Sequence, residues 1–592
     1  MNLRFHSLAE IDYKIMKLKI FIAVLLVSLA AFITVSQIKT SAFAPAGDFP
    51  REALVYVQIS DLPALLRLWN ESKFKEKYLA SDNFNDFKVR HLGLKLASRW
   101  EEFSAACGFP VDLETVSGLA QNKAAIALYD IGKIEFVFIA PVSDEIFAAS
   151  GFAQNQANFE EETLGDGTII YRKSVEADRG RQKQELIFTN VKGRFILATS
   201  EKLLALTLNN INGKASKNRL IDEPSFKALT EKSAAQTATV WVNQAALNKD
   251  YYFKRYWLMS DVKSLENIRA GIFDFSMEEG TLVERRKFLL NQPLNPATIK
   301  SVESLSHLPE NAAFYRFQAA NNQTLDAALR QTIFERRAES TGDESVDDYY
   351  PSYDNHDYSR GVDYRSLNED FDETIDEADE EETAGTSATI EDFSKFLQSG
   401  KPQTVLTFTE PKLLPAPLFV EFRRAAIFNL AAPDNFKRVA FESAIEKHVG
   451  ARVLIAAPNA HLKWETKSEN DITWRELKLP MLGWEISYAA RGDDLILTNS
   501  SDFLREIATA ENPTKIEASD SRLTEMTVLN LRRKDDAYTQ IFAEFAGRNA
   551  ADKFFTGNVE SLLDSISGVG KIEIKKYYSR GFPEEEITMI LK

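Results

Sequence analysis

Gly193-Arg194-Phe195-Ile196-Leu197-Ala198-Thr199-Ser200 and Gly492-Asp493-Asp494-Leu495-Ile496-Leu497-Thr498-Asn499-Ser500 are nearly the same phrase, written about 300 residues apart with one inserted residue. In each, a glycine stands where a hairpin turn calls for positive φ. An apolar run of strand length follows. Then come serines, Ser200 in one copy and Ser500 or Ser501 in the other, whose side-chain oxygen suits the first free N–H groups of a helix. Leu203 and Leu204 open the apolar face of that helix in the first copy, Phe503 and Leu504 in the second.

Working outward, four further landmarks recur in the same order. Ala53-Leu54-Val55-Tyr56-Val57-Gln58-Ile59 corresponds to Ala312-Ala313-Phe314-Tyr315-Arg316-Phe317-Gln318. Ala124-Ala125-Ile126-Ala127-Leu128 corresponds to Ala425-Ala426-Ile427-Phe428, and Phe138-Ile139-Ala140-Pro141 to Leu454-Ile455-Ala456-Ala457-Pro458. Leu265 to Leu290 corresponds to Leu563 to Leu591; each has a short helix, a glycine (Gly271, Gly568) and two strands around a turn. After the first strand, Asp61 suits a helix cap, Pro63 the first turn, and Leu62, Leu65, Leu66 and Trp69 share a helical face. Strands separated by turns and interrupted by single helices predict an α+β fold with mainly antiparallel sheets flanked by helices. The expectation is two tandem, internally duplicated domains, at 49–292 and 305–592, with a cleft between the copies as the place for a ligand or partner. No regular β-α-β alternation or Gly-rich βα turn points to a nucleotide fold.

Ahead of both copies, Ile20 to Val35 reads without a charge, and Ser36, Gln37 and Ile38 extend it to a length that spans a bilayer. Arg4, Lys14, Lys17 and Lys19 precede it, so 1–19 is expected in the cytoplasm, 20–38 as a transmembrane anchor or signal segment, and the rest outside. Ala42-Phe43-Ala44 offers a signal-peptidase pattern, and the alternative is a soluble periplasmic protein cut near Ala44. Lys39 and the long apolar run favour a retained single-pass anchor.

The chain of 592 residues is 44% hydrophobic and 27% charged, with 40 Phe, which is globular composition with material for more than one core. Its net charge of −16 is uneven. Glu339 to Glu382 holds 18 acidic and 2 basic residues, a local −16, so the remainder is close to neutral. That segment belongs to an insertion at 338–389, carrying Tyr349, Tyr350, Tyr353 and Tyr358, read as a solvated, disordered loop and otherwise as a docking tail for a basic partner. Asp354-Asn355-His356-Asp357 lacks the spacing and closing Glu of a calcium loop. A neutral body with an acidic insertion argues against nucleic-acid binding.

No catalytic, cofactor-binding or metal-ligating residue is nominated. His6, His91, His307, His356, His448 and His461 show no close metal spacing. The single cysteine, Cys107, lies in Ala105-Ala106-Cys107-Gly108-Phe109 and reads as a small buried hydrophobe. Ser72-Lys73-Phe74-Lys75 matches the S-x-x-K pattern without its partner motifs. Gly568-Val569-Gly570-Lys571 reads as a turn. Tyr251-Tyr252-Phe253 and Tyr256-Trp257 read as core, with an exposed lipid- or partner-binding patch as the other reading.

A signal-like anchor, the opening Phe49-Pro50-Arg51-Glu52-Ala53-Leu54-Val55-Tyr56-Val57, and two halves built of strand, Gly turn, strand and Ser-headed helix resemble an exported bacterial family known as a domain of unknown function, number 3352 in that series. The resemblance covers about Phe49 to Lys592, and the acidic insertion departs from it. It implies a cell-envelope location and a non-enzymatic role, and carries no catalytic residue onto this chain. The function expected is therefore a non-catalytic envelope protein that binds a partner or scaffolds outside the cytoplasmic membrane. The alternatives are a periplasmic carrier of a hydrophobic or lipid ligand, which needs an apolar cavity, and an enzyme of unrecognised type, which needs converging titratable groups.

Overall fold

The computed structural model describes residues 45–333 and 390–591 apart from short interruptions, the longest being 176–183, 255–262, 300–313, 510–521 and 532–568. The anchor at 20–38, Ala42-Phe43-Ala44, the acidic insertion, Ser72, Gly568, and Tyr256-Trp257 lie outside the described residues, as do the side chains of all six histidines. Among the described residues no helix is long and apolar enough to cross a membrane.

The chain is α+β, and its strands make one large antiparallel sheet. The first half supplies β1 (Val55–Ile59), β2 (Ala124–Asp130), β3 (Glu135–Pro141), β4 (Glu160–Thr163), β5 (Ile169–Val175), β6 (Gln184–Val191), β7 (Arg194–Ala198), β8 (Ala238–Val242), β9 (Ile268–Glu278) and β10 (Thr281–Leu290). The second supplies β11 (Phe314–Ala319), β12 (Pro402–Leu413), β13 (Val420–Leu430), β14 (Glu465–Glu469), β15 (Ile472–Leu479), β16 (Trp484–Arg491), β17 (Asp494–Thr498), β18 (Leu523–Asn530), β19 (Val569–Ser579) and β20 (Phe582–Leu591). From one edge inward the order is β4-β5-β6-β7-β3-β2-β1-β8-β9-β10. From the other edge it is β14-β15-β16-β17-β13-β12-β11-β18-β19-β20, the same order ten strands later. β10 pairs with β20, closing the two series into one ladder. No cleft separates the halves at this seam: backbone hydrogen bonding runs straight across it.

Each half is covered on both faces. In the first, α1 (Leu62–Glu71), α2 (Lys73–Ala80), α3 (Asp82–Val89), α4 (His91–Cys107) and α5 (Leu113–Ala120) connect β1 to β2, and α6 (Asp144–Ala149) and α7 (Gly151–Gln154) follow β3. Leu62, Leu65 and Leu66 of α1, Phe103 and Cys107 of α4 and Phe152 of α7 share one cluster with Phe138, Phe188, Phe195 and Leu197 of the sheet. On the opposite face, α8 (Glu201–Ile211) and α9 (Pro224–Thr230) bring Leu203, Leu204 and Phe226 against Ile139, Ile196 and Trp241. Successive residues of β7 thus enter different cores, which is why its apolar run is unbroken rather than alternating. In the second half, α12 (Asn322–Ile333), α13 (Ile390–Ser399) and α14 (Arg438–Ala456) cover one face and α15 (Ser501–Ala508) the other; α10 (Gln244–Leu247) and α11 (Lys263–Glu266) are short helices between β8 and β9.

The duplicated phrase lands on β7 and β17, in equal places of the two series, and the first and fifth landmarks land on β1 with β11 and on the β9–β10 with the β19–β20 hairpin. Two landmarks are corrected. Ala425–Phe428 lies in β13, the counterpart of β3 rather than of β2. Leu454–Ala456 is the end of the helix α14, not a strand, because the apolar letters there continue a helix begun at Arg438. The inserted residue in the phrase also disappears. Val191 faces Arg194 and Arg491 faces Asp494, so both turns have two central residues. Lys192 and Gly193 both have positive φ (53° and 70°), the signs of a type I′ turn, whereas in the second turn the glycine, Gly492 (φ 58°), comes first, as in type II′. The glycine changed place within the turn; the strand kept its length.

The caps and the remaining glycines divide likewise. Asp61 Oδ1 accepts from Ala64 N at 2.9 Å and Asn321 Oδ1 from Thr324 N at 3.0 Å, equivalent caps at the heads of α1 and α12. Ser500 Oγ accepts from Phe503 N at 3.4 Å, while Ser200 has the extended cap backbone without a side-chain bond. Gly271 sits inside β9 rather than before it; a Cβ there would lie 3.2 Å from ring atoms of Phe273 and Phe288. Val569, Gly570 and Lys571 belong to β19 at a register shift, not to a turn.

Candidate functional site

The seam sets three successive pairs of opposite charge face to face. β10 presents Arg285, Arg286 and Lys287, and β20 answers with Glu586, Glu585 and Glu584 in register. Arg285 and Glu586 are each the fifth residue of their strand and face one another, Nε to Oε2 3.0 Å. Two identical strands meeting about a two-fold axis would set like against like at that place; here the two differ in sign and attract. One residue on, Arg286 grips Glu284 with two bonds, Nε to Oε1 2.6 Å and Nη2 to Oε2 3.1 Å, and reaches Glu585 Oε2 at 3.4 Å. Glu284 is buried, only 2% exposed at its side chain, so this pair is largely out of water. The row continues across the sheet through Lys576 to Glu525 at 2.8 Å, and Gln318 donates to Glu525 at 2.9 Å. Alternating charges locked side by side fix register; they do not leave a reactive group over.

Within the sheet, the two halves differ at one pair of equivalent places. In the first half Tyr171 of β5 stacks on Phe188 of β6, ring centroids 5.1 Å apart, and Phe152 and Phe195 complete an aromatic group. In the second, Arg475 of β15 and Tyr488 of β16 occupy those places, and Glu442 of α14 joins them. Arg475 Nε and Nη2 reach Glu442 Oε1 and Oε2 at 2.7 and 2.9 Å, and the Tyr488 hydroxyl donates to the same carboxylate. Burial works to raise the Glu442 carboxyl, but the hydrogen bonds from Arg475 and Tyr488 outweigh it and hold it below its usual range. The Tyr488 hydroxyl is pushed far up, first by burial and then by the carboxylate. Held ionised and bound through both oxygens, Glu442 has no proton to give; it pins α14 to the sheet.

Asp494, at the start of β17, is buried, and burial lifts its carboxyl to about 6 although Asn429 Nδ2 donates to its Oδ1 at 2.9 Å and the charge of Arg491 opposes the shift. Its counterpart Arg194 pairs instead with Asp48 at 2.8 Å. Cys107 is fully buried, its thiol pushed by desolvation to about 12, as a small buried hydrophobe should be. Phe253 is buried, whereas Tyr251 and Tyr252 stand out of the surface, so the aromatic trio divides between core and patch. Among the described residues no group of three or more His, Cys, Asp or Glu could hold a metal ion. The sheet's outer edges, β4 and β14, are short, exposed and charged (Glu160-Glu161-Glu162-Thr163 and Glu465-Thr466-Lys467-Ser468-Glu469), which discourages further strands from adding.

The seam was missed in the sequence, although the runs Arg285-Arg286-Lys287 and Glu584-Glu585-Glu586 were visible signals once taken as a pair. No family model and no curated protein matches the chain. Among solved structures it is similar to TP0453 in crystal forms III, I and IV, at 9%, 9% and 8% identity and TM-scores of 0.25, 0.24 and 0.24. Those matches cover 43%, 43% and 42% of this chain and 84%, 82% and 81% of the other, and a likeness of that size carries no conclusion about this chain's fold or activity.

Proposed function

We propose that the chain is a non-catalytic protein of the bacterial cell envelope, held by segment 20–38 in the cytoplasmic membrane, that presents one α+β unit used twice as a rigid two-lobed platform for a protein partner. The observation that carries this reading is the unbroken strand order across both halves, ten strands and their ten counterparts joined by hydrogen bonding at the seam. Twenty strands at about 4.8 Å spacing give a curved platform roughly 90 Å along the hydrogen-bonding direction. A continuous ladder resists bending at the seam, which suits a scaffold better than a clamp that closes on a small ligand. The cores also favour it over a lipid carrier: Phe152, Phe188 and Phe195 are fully buried and ring-packed at 4.8–6.0 Å, in the interior that a carrier would keep open. The acidic insertion, 338–389, is the docking tail for a basic partner in this reading.

Two measurements test it. A reporter active only outside the cytoplasm, fused after Ile38, is expected to be active; activity confined to the cytoplasm removes the envelope reading. Native mass spectrometry of the purified chain is expected to show no stoichiometric lipid, and one lipid per chain would favour the carrier instead.

A further inference from the structure

Among the described residues, five of the thirteen exposed large apolar side chains fall in one stretch of the first half. Leu79 at the end of α2, Val89 at the end of α3, and Leu94, Leu96 and Trp100 along α4 are 38%, 70%, 57%, 39% and 45% exposed. Tyr251 and Tyr252, near the start of α4, are also 59% and 42% exposed and edge-to-face with each other. They are held there by Lys95 of α4, which donates to Gly132 O and lies 4.7 Å from the Tyr252 ring centroid. Gly93 brings the start of α4 against the end of α3: a Cβ there would meet Phe87 O at 2.0 Å.

The charge of this stretch is opposite to that of the chain. Residues 73–107, the whole of α2–α4, carry seven basic and five acidic side chains, a small positive balance in a protein of net charge −16. Arg99 pairs with Glu102; Lys75 is half-buried, its ammonium donating to Asn70 Oδ1, and Lys88 is exposed, its ammonium 5.0 Å from the Phe84 ring centroid. The equivalent connection of the second half, between β11 and β12, is where the sequence inserts its acidic run. Leu, Val, Trp and paired Tyr in a stretch that also supplies lysine is a composition that settles at the headgroup level of an anionic bilayer. Placed on a globular body, each exposed apolar side chain gains by leaving water, and each lysine gains from the negative surface potential.

We propose that the outer faces of α2–α4 with Tyr251 and Tyr252 form a docking surface for an anionic lipid surface, laying the first lobe against the membrane. The inference rests on the anchored reading. In this arrangement the acidic insertion of the second lobe is repelled from the same surface and left free for a basic partner.

The test uses the full chain carrying Leu94→Cys, labelled with an environment-sensitive fluorophore; buried Cys107 stays unlabelled. Val439→Cys, at a 68% exposed site in the second half, is the control. The chain is reconstituted into phosphatidylcholine vesicles with and without phosphatidylglycerol. The expected result is a blue shift and quenching by spin-labelled lipid for Leu94→Cys in the anionic vesicles, lost when Lys75 and Lys88 are changed to Glu, with the control in water throughout. A label that remains in water in both vesicle types overturns the proposal. So does equal burial in both, which removes the anionic preference, and so does a label already shielded in detergent, which assigns the face to a second copy. Flotation of the vesicles reports the anchor separately: if the chain does not float, the anchor reading fails, and the response of the label to added vesicles still decides the face.

Discussion

Removing Arg286 isolates what the seam contributes. Its guanidinium holds Glu284 by two hydrogen bonds at 2.6 and 3.1 Å, and the Glu284 side chain is 2% exposed. Arg286→Ala therefore leaves a carboxylate out of water with its principal partner gone, next to a second one, Glu585. Breaking a buried pair from one side costs about 3–5 kcal/mol, much more than the worth of an exposed pair. Global unfolding of a 592-residue chain is not expected to be two-state, so the cost is best read where it falls, by hydrogen exchange at β10 and β20 amides. At about 1.4 kcal/mol per tenfold, 3–5 kcal/mol lowers protection by roughly 100- to 3000-fold if those amides exchange through local opening. Glu284→Gln with Arg286→Met keeps volume while removing both charges, and is expected to recover at least half of the loss. A loss under about 1 kcal/mol for Arg286→Ala, or a double variant as damaged as the sum of the singles, would refute the claim that the pair is desolvated and coupled.

Asp494 gives a pH signature. Its folded carboxyl sits at about 6 against 3.8 in the unfolded chain, so the folded state holds the proton more tightly, and this contribution is lost as pH rises from about 4 through 6. Asp494→Asn is expected to stabilise by about 1–3 kcal/mol at pH 7 and to change little at pH 3.5, read as hydrogen-exchange protection of β17 amides at the two pH values after correction for the intrinsic rate. Cys107 should resist a thiol reagent at pH 8 in the folded chain and react fully in denaturant; rapid modification of native protein contradicts its burial. Gly193→Ala and Gly492→Ala place a Cβ at positive φ and should each cost about 1 kcal/mol, whereas Lys192→Asn, at φ 53°, should be neutral or stabilising by a few tenths. Equal effects of Lys192→Asn and Gly193→Ala would show that the turn is not held in those φ signs.

The phrase at Gly193 and Gly492 was readable because everything it encodes is local: φ preference at the turn, apolar run length in the strand, a short polar residue where the helix begins. The same reasoning mispaired Ala425–Phe428 and misread Leu454–Ala456, since a few apolar letters look alike in a doubly covered strand and a buried helix turn. At the seam the sequence displayed three cations and three carboxylates almost 300 residues apart, yet a charge run by itself reads as a solvated face. Likewise nothing near Tyr171 or Arg475 announces that they hold equivalent positions, one stacked on Phe188 and the other clasped to Glu442.

From its residues alone, then, this protein fixes an antiparallel α+β architecture, the sites of its sharp turns, the cap at Asp61, and a stretch at 20–38 with the length and apolarity of a bilayer span. These follow from backbone preference and hydrophobic period, which act over a few neighbours. Tertiary structure alone decides that β10 meets β20, that Glu284 and Glu442 lie buried beside arginines, and that Leu94 and Trp100 remain outside. Each of those depends on which surfaces meet after loops of very different length have closed, and loop closure discriminates only weakly among partners, so pairing is settled by complementarity across the finished sheet.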